Sequence, residues 1–208
     1  MLISVVVLFV CCLVGTLIAM VFLGAHDGEA FLTPHTLSVS AGWMLCFLLT
    51  GTLCFIAGYP HPVDVLVLSL LFVACSITDG LRCWLPHTFT LPVLTAGLLW
   101  QLLVMAPLWW IPFTGIACGA GAFLLLRLGH YCCGLRGDHL YPGSGDIALM
   151  AALGAWLGPA AAFIIQLAGL LLFMGWLLVK HRTEGPLGPF LCLSASGCML
   201  IHARYPFF

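Results

Sequence analysis

Charge is what this sequence has least of. Its 208 residues hold six Lys+Arg and seven Asp+Glu, 6% of the chain, against 63% hydrophobic residues and a mean hydropathy of +1.19. A soluble domain carries roughly a quarter charged residues, so a soluble globular fold is excluded. The net charge of −1 leaves no basic surface for nucleic acid. Eleven cysteines contain no C-x-x-C spacing, which removes metal ribbons and dithiol redox motifs. Most of them lie inside apolar runs, where cysteine behaves as a small buried hydrophobe. No Lys or Arg precedes the first apolar run, Leu2–Gly24, and that run is far longer than the core of a secretory signal. It reads as a membrane helix. There is no internal repeat and no segment polar enough for a soluble domain, so residues 1–208 are expected to form one integral membrane domain.

Apolar segments are what the chain has in abundance. About 20 apolar residues cross a bilayer as a helix. Candidates are Leu2–Gly24, Leu37–Gly58, Val63–Thr78, Thr90–Ala106, Trp109–Leu128, Ile147–Leu157, Ala160–Val179 and Leu187–Ala203. The connections Ala25–Thr36, Gly80–Phe89, Gly129–Gly145 and Lys180–Pro186 are polar or rich in Gly and Pro. The expected fold is therefore an all-α bundle of about eight transmembrane helices, with seven as the alternative. The count turns on Gly158-Pro159, which interrupts the run from Ile147 to Val179. Cationic residues favour the cytoplasmic side. With eight spans and the N-terminus outside, Arg82, Arg127, Arg136, Lys180 and Arg182 all face the cytoplasm, and Arg204 alone lies outside. A single span over 147–179 would move Lys180 and Arg182 to the far side. Eight spans also put Asp79 and Asp146 on one, cytoplasmic, face.

An ionisable group at a membrane-helix end is a functional-site hypothesis by default. The acidic residues sort accordingly. Asp27 and Glu29 lie in a polar loop, Glu184 accompanies Lys180 and Arg182, and Asp64 follows Pro62 at a helix N-terminus, where a carboxylate suits the dipole. Asp64 is about 22 Å along a helix from Asp79 and shares no site with it. Asp138 lies in the long loop. Asp79 (Ile77-Thr-Asp-Gly80) and Asp146 (Gly143-Ser-Gly-Asp146) differ, because each bounds an apolar segment and adjoins glycine. Gly143 and Gly145 allow close backbone approach or a positive φ. Two neighbouring carboxylates resist double ionisation, so one stays neutral as acid while the other acts as base. That is general acid–base hydrolysis without a covalent intermediate. The helix ends make Asp146, at an N-terminus, the expected base and Asp79, at a C-terminus, the expected acid.

His130, Cys132, Cys133 and His139 crowd one loop, but adjacent cysteines are poor spacing for structural zinc, so no metal is assigned. Trp84, Trp109 and Trp110 read as interfacial aromatics. Gly119-Ala-Gly121 and Ala151–Gly158 read as close helix-packing surfaces.

Three blocks then resemble a known family. Ser76-Ile-Thr-Asp79-Gly-Leu-Arg-Cys-Trp-Leu-Pro86-His-Thr-Phe-Thr90-Leu-Pro92 is similar to the first active-site block of the type IV prepilin peptidases. Gly143-Ser-Gly-Asp146 resembles their G-x-G-D motif, and Pro186-Leu-Gly-Pro189-Phe-Leu their late Gly-Pro-Phe block. The resemblance spans roughly residues 63–205. It implies a bacterial inner-membrane aspartyl peptidase, with catalytic residues Asp79 and Asp146 and no cofactor. Such an enzyme cuts the leader from prepilins or pilin-like secretion subunits at the cytoplasmic face. The sequence departs from the family at His87, where Asp or Asn is common, and at Ala148, where Lys is common. Ala25–Thr36 also stands where many members carry paired C-x-x-C motifs and N-methyltransferase activity. Methylation is therefore not expected.

Three other readings stand beside this one. A presenilin-like protease shares G-x-G-D, but not the Asp79-to-Pro86 block. A proton-coupled transporter relays protons through paired carboxylates, yet usually shows repeat symmetry. A non-catalytic assembly subunit of a secretion apparatus needs neither aspartate.

Overall fold

The computed structural model describes residues 2–27, 33–104, 108–133, 142–182 and 184–204. They form seven helices and no strand: α1 Leu2–Asp27, α2 Pro34–Ile56, α3 Pro62–Arg82, α4 His87–Val104, α5 Trp110–Cys132, α6 Ser144–Lys180 and α7 Gly188–Arg204. Five of them, α1, α2, α3, α5 and α6, are long and apolar enough to cross a membrane. The all-α membrane bundle expected from the sequence is present.

Several helices begin earlier than their apolar runs, because local capping rather than hydropathy sets the first turn. Helix α2 starts at Pro34, not Leu37. The Thr33 hydroxyl accepts the Thr36 N–H at 3.2 Å, and the Thr36 hydroxyl accepts the Thr33 N–H at 3.0 Å. This reciprocal box satisfies two otherwise orphaned donors, and proline at the first helical position needs none. Helix α3 runs past Thr78 to Arg82 and stops where Cys83 turns left-handed at φ 51°.

The chain divides into two compact units, residues 1–83 with 188–208, and residues 84–187. In the first, α3 is the central helix. Most of its apolar stretch is buried, against a minor share of α1 and α2. Phe47 of α2 meets Phe72 of α3 with ring centroids 5.5 Å apart. Gly15 of α1 lies against the Leu70 backbone and Gly51 of α2 against Leu8. The outer faces of α1 and α2 stay apolar and exposed, as at Ile3, Val21, Leu45 and Leu49, which suits lipid as solvent.

In the second unit, α6 is not straight. Gly158 adopts φ 83°, ψ 176°, far from helical values, and Pro159 follows it. A straight helix would set Met150 and Gln166 about 24 Å apart. Instead both meet Gly119 of α5. The Gly119 Cα abuts the Met150 carbonyl, while the Gln166 amide donates to the Cys118 carbonyl at 3.4 Å and to that of Gly119. Pro142, before α6, and Phe173, within it, line one common cavity. Helix α6 therefore folds back at Gly158 into two arms, the segments expected as Ile147–Leu157 and Ala160–Val179, now joined without a loop. Seven elements thus supply eight helical arms. Gly115 and Gly154 abut each other's backbones, so α5 and the first arm touch with no side chain between them.

A Cβ at Gly154 would strike the Gly115 carbonyl, whereas one at Gly175 would meet nothing within 4 Å. Gly154→Ala is expected to cost about 1–3 kcal/mol by overpacking. Gly175→Ala should be neutral or stabilising by up to about 1 kcal/mol. Thermal unfolding in detergent checks the contrast, and equal Tm values would refute the seam.

Candidate active site

Each aspartate singled out from the sequence is buried, and each is held by a backbone N–H. In the first unit Asp79 lies in the last turn of α3, only 4% exposed. Its Oδ2 accepts the N–H of Gly188 at 2.7 Å, from a residue 109 positions away at the start of α7. The opening N–H groups of a helix have no intrahelical acceptor and favour an anion. Asp79 thus sits near the C-terminal end of its own helix but against the N-terminus of another. The two dipoles oppose, which narrows the electrostatic distinction between the aspartates drawn from the sequence. The approach favours glycine, since a Cβ at 188 would lie 2.9 Å from Oδ2 and 3.4 Å from the Asp79 Cβ and would push the carboxylate aside.

In the second unit α6 begins at Ser144 rather than Ile147, which places Asp146 within the first turn, 8% exposed. Its Oδ2 reaches back to accept the Gly143 N–H at 3.1 Å, and the Ile147 N–H donates to the Gly143 carbonyl at 3.2 Å. This is half of a capping box, with the carboxylate in the role of the third-position acceptor. Gly143 has φ −64°, so no left-handed conformation is needed there. Gly145 is required for contact instead, because its Cα lies against the carbonyl and Cβ of Leu85. Two residues on, the His87 ring stands 3.2 Å from the Ser144 hydroxyl. Lower down, the Trp156 indole donates to the Val93 carbonyl at 2.8 Å and fills the space beside Gly97. Gln101 donates to the Trp156 carbonyl at 2.6 Å. Helix α4 is thereby pinned to the first arm of α6. A cavity of about 310 Å³ opens beside the motif, lined by Leu126, His130, Pro142, Leu170, Phe173, Met174 and Leu187.

Sequence reasoning missed one buried acid. Asp64, expected as an ordinary N-terminal carboxylate, is 1% exposed. Tyr59 lies nearby, its ring 5.8 Å from that of His202. Burial first, and the Asp64 carboxylate second, push the Tyr59 phenol above its usual range. Pro60 and Pro62 around His61 were the local signs of a tight entry into α3. Among the described residues no three His, Cys, Asp or Glu gather as metal ligands. Cys132 and Cys133 are exposed, while Glu29, Arg136, Asp138 and His139 lie outside the described residues.

Comparison with known proteins follows the same residues. A family described as the type IV leader peptidase family matches residues 66–179, a span that holds both Asp79 and Asp146. The chain is 33% identical over 178 residues to the type 4 prepilin-like proteins leader peptide-processing enzyme of Escherichia coli O78:H11, covering 80% of this chain and 63% of that protein. It is 34% identical over 172 residues to the prepilin leader peptidase/N-methyltransferase of Dickeya chrysanthemi, covering 76% and 59%. Against the protein of that name from Neisseria gonorrhoeae it is 29% identical over 176 residues, covering 80% and 59%. The chain thus spans about six-tenths of the length of these relatives. No solved structure matches it.

The glycine contacts rank three substitutions. Gly145→Ala meets backbone and should destabilise most, by about 1–3 kcal/mol. Gly188→Ala meets a carboxylate that shifts at lesser cost. Gly143→Ala, with only Asp146 Oδ2 at 3.3 Å, should be mildest. Thermal unfolding of the three variants in one detergent checks the order; a Gly143→Ala protein less stable than Gly145→Ala would refute it.

Proposed function

We propose that this chain, which belongs to the type IV leader peptidase family, is a membrane aspartic endopeptidase that removes the leader from prepilins or pilin-like proteins. One observation carries the reading. Inside the matched span lie two buried carboxylates, Asp79 and Asp146, each fixed by a glycine N–H.

In this reading the two carboxylates share one proton across the substrate. The ionised one draws a proton from water, whose oxygen attacks the peptide carbonyl carbon. The neutral one gives its proton to the carbonyl oxygen, forming a tetrahedral diol. Collapse breaks the C–N bond: the first aspartate passes its proton to the amine nitrogen, and the second recovers one from the diol. The pair ends as it began, and titrates as a unit. Backbone donors suit this cycle, because a glycine N–H holds a carboxylate without itself gaining or losing a proton. The distribution of Lys and Arg supports a cytoplasmic orientation for the site in a multi-pass protein, with the N-terminus outside. The proposal covers peptide cleavage alone. The Ala25–Thr36 connection contains no cysteine, so methyl transfer is not extended to this chain.

A purified sample incubated with a synthetic peptide, a basic leader joined to an apolar helix, tests the reading. Asp79→Asn and Asp146→Asn should each slow cleavage by about 10³-fold or more, while Asp138→Asn remains active. Near-normal cleavage by either of the first two variants would refute it. The rate should also fall on both sides of an optimum pH. Acid protonates both carboxylates and removes the base; alkali ionises both and removes the acid. A rate still rising through alkaline pH would contradict the shared proton.

A further inference from the structure

Residues 85–87 run as a rail beside the Gly143–Asp146 turn. The inner contact is apolar and closed: Leu85 is buried, 5% exposed, and its carbonyl and Cβ press on Gly145. That contact fixes how near the first turn of α6 stands to the rail. The outer contact is the imidazole of His87, at the first position of α4, 3.2 Å from the hydroxyl of Ser144. Both outer side chains are exposed, while the Asp146 carboxylate two residues on is buried. The two contacts, on adjacent residues, hold the first turn of α6 to the rail from its buried side and from its exposed side. The Gly143 amide that binds Asp146 Oδ2 belongs to the same turn.

We infer that His87 is a positioning residue, which sets the direction of the Asp146 carboxylate by holding Ser144 across 57 residues of sequence. Pro86 helps present it, since its ring fixes the backbone just before the imidazole. The role needs a side chain long enough to reach the serine with a nitrogen. It does not need a titrating group, so an amide of similar reach can stand in.

The catalytic consequence rests on the peptidase reading; the clamp itself does not. The experiment therefore has two arms, on the full chain in one detergent, with His87→Ala, Ser144→Ala, the double variant and His87→Gln. Amide hydrogen exchange over residues 143–147 should quicken by about threefold to tenfold in either alanine variant. It should quicken no further in the double variant, and return towards the original rate in His87→Gln. Cleavage of the leader–helix peptide should show kcat reduced by a similar factor with KM unchanged, again restored by His87→Gln. Unaltered exchange in His87→Ala would overturn the clamp. Faster exchange with an unaltered kcat would overturn its part in catalysis. Failure of the unsubstituted chain to cleave counts against the peptidase reading instead, and the exchange arm still decides the clamp.

Discussion

A carboxylate buried in an apolar surrounding must be given a partner or it will not stay there, because losing water without replacement costs several kcal/mol. This chain has few side-chain cations to offer, and a backbone amide holds one oxygen of each aspartate. The amide must reach the carboxylate edge, and a Cβ on the donor residue would crowd that approach. Glycine at 188 follows directly from this demand, and the start of α7 is placed where its first free N–H meets α3. Gly143, the cap of α6, is less crowded, since a Cβ there would meet only Asp146 Oδ2 at 3.3 Å. Much of the local architecture around both acids is the geometry needed to present two peptide N–H groups.

Helix association in lipid lacks the hydrophobic drive available in water, so it depends on close packing and on hydrogen bonds between helices. Unit 84–187 uses both. Gly115 and Gly154 bring two backbones into contact, and Gln166, Gln101 and Trp156 each donate to a carbonyl of a neighbouring helix or arm. Unit 1–83 with 188–208 relies more on aromatic and aliphatic filling, with Phe47 stacked on Trp43 and tilted against Phe72. The difference suits their contents. The second unit has to hold a short turn in register, whereas the first has to bury one long helix.

What could be read from the sequence was what has a local signature. Scarce charge and long apolar runs disclose a membrane bundle, and Gly158-Pro159 marks a break. A carboxylate beside glycine at the edge of an apolar run draws attention to Asp79 and Asp146. What could not be read arises from contacts between residues far apart in the chain. Nothing near Asp79 announces Gly188, and nothing near Ser144 announces His87. Asp64 reads as an ordinary capping acid because hydropathy does not report which helix face is covered by a neighbour. The helix starts were misplaced for a related reason: hydropathy locates the apolar middle of a helix, while caps such as Thr33 and Gly143 locate its end.

The loopless reversal at Gly158 has a bearing on how deletions and insertions are borne. A loop absorbs a gained or lost residue; a one-residue pivot has no slack. Each residue added between Gly158 and Asp146 would turn the acid by about 100° and displace it by about 1.5 Å relative to the pivot. The eleven positions between them therefore act as a ruler, calibrated from the far end of the arm and locked by Gly154 against Gly115. Length in this arm is a structural constraint in its own right.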